Sequence, residues 1–216
     1  MNLLIESIIN ELAYKDLTVK QRSIDRLFPE FKGRVEDVMN KGGMRFVGYE
    51  KGGLWKFKVG SGTAPGKKYN VYVRFRDLDS LVYELAKDKR LWKRDLSGVD
   101  RRILAVEVLF QADLELYCSC PAFQYWGPAY ILTRRRAKYT DPETRPPRIR
   151  NPKEYGAYCK HLEAVMEVLP MYAPDMMKYL GMYYLDKIKK AEEEMKKVDK
   201  DVRKAAEFLR AKLEEE

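Results

Sequence analysis

The chain contains three cysteines and one histidine, and all four fall in two tight pairs, Cys118-Ser119-Cys120 and Cys159-Lys160-His161. Thiolate and imidazole are the soft ligands that Zn²⁺ prefers, and four of them complete a tetrahedron. A completed tetrahedron leaves no open position for a reactive water, so the site reads as structural. Two segments separated by 38 residues must then meet at one point, which restricts the fold more than any other feature of the sequence. Closing so long a loop adds little cost, because loop-closure entropy grows only with the logarithm of length.

Each pair has a single residue between its ligands, tighter than the usual two to four. The first pair is therefore expected to need a turn between its cysteines, with Pro121 ending a strand. The second sits where a helix begins, so backbone N–H groups there can stabilise thiolates. Reduced thiols beside a core histidine are the plainer reading, but that reading leaves the paired spacing unexplained.

The order Cys-x-Cys, insert, Cys-x-His resembles the SWIM-type zinc finger. The flanking residues agree: Cys118-Ser119-Cys120-Pro121-Ala122-Phe123, then Cys159-Lys160-His161-Leu162 leading into an apolar helix. The resemblance covers roughly residues 103–170. It implies zinc ligation by Cys118, Cys120, Cys159 and His161, and a fold of two strands followed by a helix. An insert of 38 residues is long for this family, which implies a task of its own. SWIM-like domains are associated with both DNA and protein binding. Compact chains of this kind also look similar to small proteins of phages and mobile elements, which implies a virion or head–tail component as an alternative role.

Outside the pairs, periodicity predicts an α+β fold. Residues 1–41 read as a small N-terminal helical module, with Leu3, Leu4, Ile8, Ile9 and Leu12 on one face and a last helix carrying Phe31, Val35 and Val38. Residues 42–102 read as an antiparallel three-stranded sheet over 44–76, followed by a helix from Asp77 to Trp92. Residues 103–180 read as the SWIM-like zinc-binding domain, with strand pairing over Ile103 to Tyr117 and into Cys118, or a helix over the first half of that run, an irregular insert over 121–158 and a helix from His161. Residues 181–216 read as a long amphipathic helix. There, Ile188, Ala191, Met195, Val198, Val202, Ala205 and Leu209 make a heptad seam suited to a partner or to self-association over 186–213.

Charge points to the partner. The net charge is +9, which favours a polyanion such as nucleic acid, DNA foremost, or an acidic protein face. The insert holds Arg134, Arg135, Arg136, Lys138, Arg145, Arg148, Arg150 and Lys153 against Asp141, Glu143 and Glu154, with Tyr125, Trp126, Tyr130 and Tyr139 interleaved. Guanidinium forks suit phosphates and aromatic faces suit unstacked bases. The first seven of those cations are the expected nucleic-acid contacts. The 42–76 segment is basic as well, with eight cations against Glu50 alone. Alternation would gather several of them on one sheet face.

No catalytic set is evident. The one histidine is committed to zinc, and Gly60-Ser61-Gly62-Thr63-Ala64-Pro65-Gly66 lacks the Lys-Ser/Thr of a phosphate-binding loop. An early carboxylate at Glu6 argues against a secretory leader, no run of about twenty apolar residues is present, and an odd cysteine count does not suit a disulfide framework. The expectation is an intracellular, cytoplasmic, non-catalytic protein without a membrane association.

Overall fold

The computed structural model describes residues 32–87, 98–154 and 156–214. The expected helices before residue 32, and the end of the helix expected to reach Trp92, lie outside the described residues. The chain divides into two units: the segment up to Leu78 with Leu109–Ala173, and Asp79–Val108 with Pro174 onward.

The first unit begins with α1 (Lys32–Asp37), which runs into one π turn, Val38–Gly42. Val35 and Val38 are buried, as their spacing predicts. Gly43 stops the turn at φ 65°, a left-handed backbone that favours glycine, and its N–H returns to Val38 O at 3.1 Å. The period then changes to two. Strands β1 (Met44–Glu50), β2 (Leu54–Gly60) and β3 (Lys68–Phe75) pair antiparallel in that order, as the sequence predicts. A fourth strand, β4 (Leu114–Cys118), joins the other edge of β3, also antiparallel.

Of the two readings of the apolar run from Ile103, the strand reading of its first half is wrong and the helical one holds. Gly98–Gln111 is a helix, α3, and strand begins only at Leu114. The buried residues Leu104, Ala105, Val108, Leu109 and Ala112 recur at i, i+1, i+4, i+5 and i+8, one helical face. β-branched residues in an unbroken apolar run had disguised that period. Before α3, α2 (Leu78–Lys87) buries Leu78, Val82, Leu85 and Ala86.

One face of the sheet is fully buried. Trp55, Phe57, Val59, Val71, Val73, Phe75 and Leu116 point inward and none is more than 2% exposed. Burial of each such side chain contributes about 1.5–3 kcal/mol. Phe46, Phe57 and Tyr172 form an aromatic cluster with Trp55, with ring centroids 5.1–6.4 Å apart. Helix α6 (Lys160–Val168) lies against β2, β3 and β4 and buries Leu162, Ala164 and Val165. Of the two strands and helix that the resemblance implies over 103–170, that range holds one named strand, β4, and the helix α6; the strand that pairs with β4 is β3.

The second unit contains α7 (Ala173–Tyr183) from Pro174 onward and α8 (Leu185–Glu214), separate helices with a break at Tyr184. Tyr83 and Lys87 of α2 both reach Glu194 of α8, and Lys187 pairs with Asp79 at 2.5 Å. The heptad seam changes character along α8: Ile188 and Ala191 are buried, whereas Val198 and Val202 are 49% and 58% exposed. Among the described residues no helix is long and apolar enough to cross a membrane.

Candidate metal centre

Cys118 ends β4, where alternation after Leu114 and Leu116 carries it to the inward face, opposite Val71. The chain stays extended for two more residues. Ser119 points outward, its N–H donating to Asn70 O and its Oγ accepting from Asn70 N–H, each at 2.9 Å. Cys120, at φ −80° and ψ 149°, returns to the inward side. No turn is therefore needed between the two cysteines. The two-residue period of an extended chain brings both sulfurs to one face.

A short helix, α4 (Pro121–Tyr125), starts directly after Cys120. Pro121 suits the first helical position, where its missing N–H costs nothing. Cys120 is the N-cap, and its Sγ accepts from Phe123 N–H at 3.3 Å. Cys159 caps α6 in the same extended conformation, at φ −84° and ψ 164°, and His161 follows in the first turn. Each ligand pair is therefore joined to a helix start.

The four side chains converge. Their ligand atoms all lie within 4.8 Å of one another, and Cys118 Sγ is 4.0 Å from His161 Nδ1. All four residues are at most 2% exposed, and the Tyr69 ring packs 4.7 Å from the imidazole. Two observations show that the set fits a metal. His161 Nε2 is buried with no hydrogen-bond partner among the described residues, an arrangement that costs about 1–3 kcal/mol if nothing else binds the ring. The second is the electrostatics of the three buried thiols. Burial pushes Cys118 and Cys159 well up, while hydrogen bonds from Cys118 and Cys159 hold Cys120 down as a thiolate. The three thiols can ionise together in this buried site only if a cation offsets most of their charge, and metal binding there would release protons. Zn²⁺ meets the ligand type and number.

The insert is more ordered than its six-proline neighbourhood predicts. After α4 comes α5 (Pro128–Arg134), entered through Gly127 at φ 111°, where a Cβ would lie 2.9 Å from Pro147. Ala137 and Tyr139 then bond to both sides of Leu116, which covers the outer edge of β4. Glu143 organises the rest. It is 6% exposed, accepts from Arg145 Nε at 2.8 Å and Arg145 Nη2 at 2.7 Å, and accepts from Gln124 of α4. Its own N–H donates to Thr133 Oγ1 of α5 at 2.9 Å. In the sequence Glu143 stands only as one of three anions of the insert; the Glu143-x-Arg145 spacing is its one local signal.

The seven expected nucleic-acid contacts are not equivalent. Arg145 is held by Glu143, and Lys138 donates to Thr140 Oγ1 and to Asp141 O. Arg134 pairs with Glu154 at 3.0 Å and lies over the Tyr130 ring. The side chains of Arg135, Arg136, Arg148 and Arg150 are on exposed residues, Arg150 above Trp126 at 5.4 Å. Beside Arg148, Ile149 is 92% exposed.

The side-chain hydrogen bonds of Arg145 hold the Glu143 carboxyl down to about 2 from its ordinary 4.5. Its contribution to stability is accordingly complete above pH 4.5 and lost as pH falls towards 2. Glu143→Ala is expected to lower stability by about 2–3 kcal/mol, because Gln124 and Arg145 lose their acceptor. Zinc content should be unchanged. Denaturant titration with metal analysis checks both, and melting insensitive to the substitution would contradict the hub.

Comparison with known families matches residues 105–170 to the SWIM zinc finger. Residues 105–170 are thus a SWIM zinc finger, its Cys118, Cys120, Cys159 and His161 brought together as the buried cluster. Comparison with curated proteins and with solved structures gave no match.

Proposed function

We propose that the SWIM zinc finger anchors a non-catalytic nucleic-acid-binding protein, with the insert between its ligand pairs as the contact surface. The supporting observation is that the insert is a fixed frame rather than a loose arm. Its ends are tied to the metal ligands and its interior to Glu143, while Arg136, Arg148 and Arg150 remain exposed on it. Cations held in place lose less freedom on binding phosphate than cations on a floppy chain. The closed metal site positions this surface and takes no part in chemistry.

Random-sequence DNA should bind at micromolar concentration or tighter at low salt, and binding should weaken steeply as salt rises. The triple substitution Arg136→Gln, Arg148→Gln, Arg150→Gln should flatten the slope of log K against log salt by roughly 2–3. Fluorescence anisotropy of a labelled oligonucleotide reads this. A zinc-loaded protein that binds no DNA at low salt overturns the proposal.

A second reading, a structural assembly protein, is supported by the exposed Val198 and Val202 seam of α8. It requires a defined oligomer or a stable protein partner. Light scattering that gives a strict monomer, with no partner retained on purification from the native source, counts against it.

A further inference from the structure

The sheet has a second face. Outward-pointing residues alternate with the buried set: Arg45 on β1, Lys56 and Lys58 on β2, Lys68, Asn70, Tyr72 and Arg74 on β3, Glu115 and Tyr117 on β4. Two groups of these cations differ. Lys56 is engaged by Glu50, and Arg74 and Arg76 by Glu115 at 3.2 and 3.5 Å. Arg45, Lys58 and Lys68 have no ion-pair partner among the described residues.

Those three cations line one cavity of about 290 Å³, together with Met44 and the backbone of Gly42 and Gly43. Its charge suits an anion. Arg45 lies directly opposite Lys58 in the strand register, and like charges so placed repel. No acidic side chain among the described residues pairs with either. Gly42, which lines the cavity, is also held by a close approach to Gly60. A Cβ on Gly60 would lie 1.8 Å from Gly42 O, so only glycine allows this close approach, which Gly60 N–H to Gly43 O at 2.8 Å then holds.

From this cavity the face continues along β3. Lys68 and Arg74 are six residues apart, about 20 Å in a strand. Between them Tyr72 stacks on Tyr117 with centroids 5.5 Å apart, and Tyr139 of the insert meets Tyr72 edge-on at 6.0 Å. Arg74 sits over Tyr139, and Arg76 Nη1 donates to Arg136 O, so the strip joins the insert. Basic groups flanking a row of tyrosines fit a strand with unstacked bases better than a duplex, whose bases are not accessible.

We propose that the outer sheet face is a second nucleic-acid contact, on which a single strand runs along β3 with a phosphate seated among Arg45, Lys58 and Lys68. This rests on the reading that the protein binds nucleic acid, but not on the insert being the site. The test uses the full zinc-loaded chain, a labelled oligothymidylate and a duplex of equal length. The triple substitution Arg45→Gln, Lys58→Gln, Lys68→Gln is compared with the insert triple above. All three residues are exposed, so zinc content and circular dichroism should match the parent protein.

The sheet triple is expected to weaken oligothymidylate binding about tenfold or more, and to flatten its salt slope by about 2, one phosphate per lost cation. Parent-like oligothymidylate binding by the sheet triple, with loss in the insert triple, overturns the sheet contact and leaves the insert standing. Loss in the sheet triple alone supports this inference and removes the insert as the site. If the sheet triple weakens the duplex more than the strand, the single-strand reading fails. Calorimetric binding of inorganic phosphate that the sheet triple abolishes, without any effect on the oligonucleotide, reassigns the cavity to free phosphate. Absence of binding by the parent protein overturns both contacts.

Discussion

Cys159→Ala is expected to yield a protein without bound zinc and without a cooperative melting transition in the unit that carries the sheet. Cys159 is fully buried where α6 starts, and α6 covers the inner sheet face. Losing this ligand leaves Cys118, Cys120 and His161 as an incomplete set and frees α6 from β4. Structural zinc sites contribute about 10–16 kcal/mol in small finger peptides near neutral pH. That is as large as the whole stability of a typical domain, about 5–15 kcal/mol. His161→Ala should behave similarly. Exposed Arg148→Ala should shift stability by no more than about 0.5 kcal/mol. Metal analysis of protein purified without chelator, followed by calorimetry, decides the matter. A parent protein devoid of metal, or a Cys159→Ala variant that melts like it, would refute the structural zinc site.

Phe57→Ala should cost about 3–5 kcal/mol, the penalty for a large cavity in a packed core. Phe57 is fully buried and touches Phe46 and Tyr172, with centroids 5.2 and 5.5 Å away. Its place in the register carries a further consequence. Phe57 pairs with Val71, and Val71 pairs with Cys118, so the cavity opens in the row that ends on a zinc ligand. Zinc loss to a chelator should therefore be faster in Phe57→Ala than in the parent, with Phe57→Leu intermediate. Denaturant unfolding and a chelator competition read the two effects. Parent-like zinc retention in a clearly destabilised Phe57→Ala would separate the core from the metal site.

The closed zinc quartet was legible because its chemistry is local. Ligand type and pair spacing suffice to select a metal, wherever the intervening chain goes. The three antiparallel strands were legible for a similar reason, since period-two alternation over 44–76 is read residue by residue. The α3 helix was not, because a short apolar β-branched run satisfies strand and helix periods alike. The geometry of Cys118-Ser119-Cys120 was also misjudged: a turn was expected where an extended chain already places both sulfurs on one face.

By itself, then, the sequence determined the metal, its four ligands, the α+β class and the basic character of the insert and sheet. Tertiary structure decided what those local facts could not contain. It gave β4 its partner in β3, across a gap of almost 40 residues that no turn signal bridges. It also divided the cations into those answered by Glu50, Glu115, Glu143 and Glu154 and those left exposed. Charge is a property of composition, but whether a charge is available to a ligand depends on which side chains lie within about 4 Å of it, and only the folded chain sets that distance.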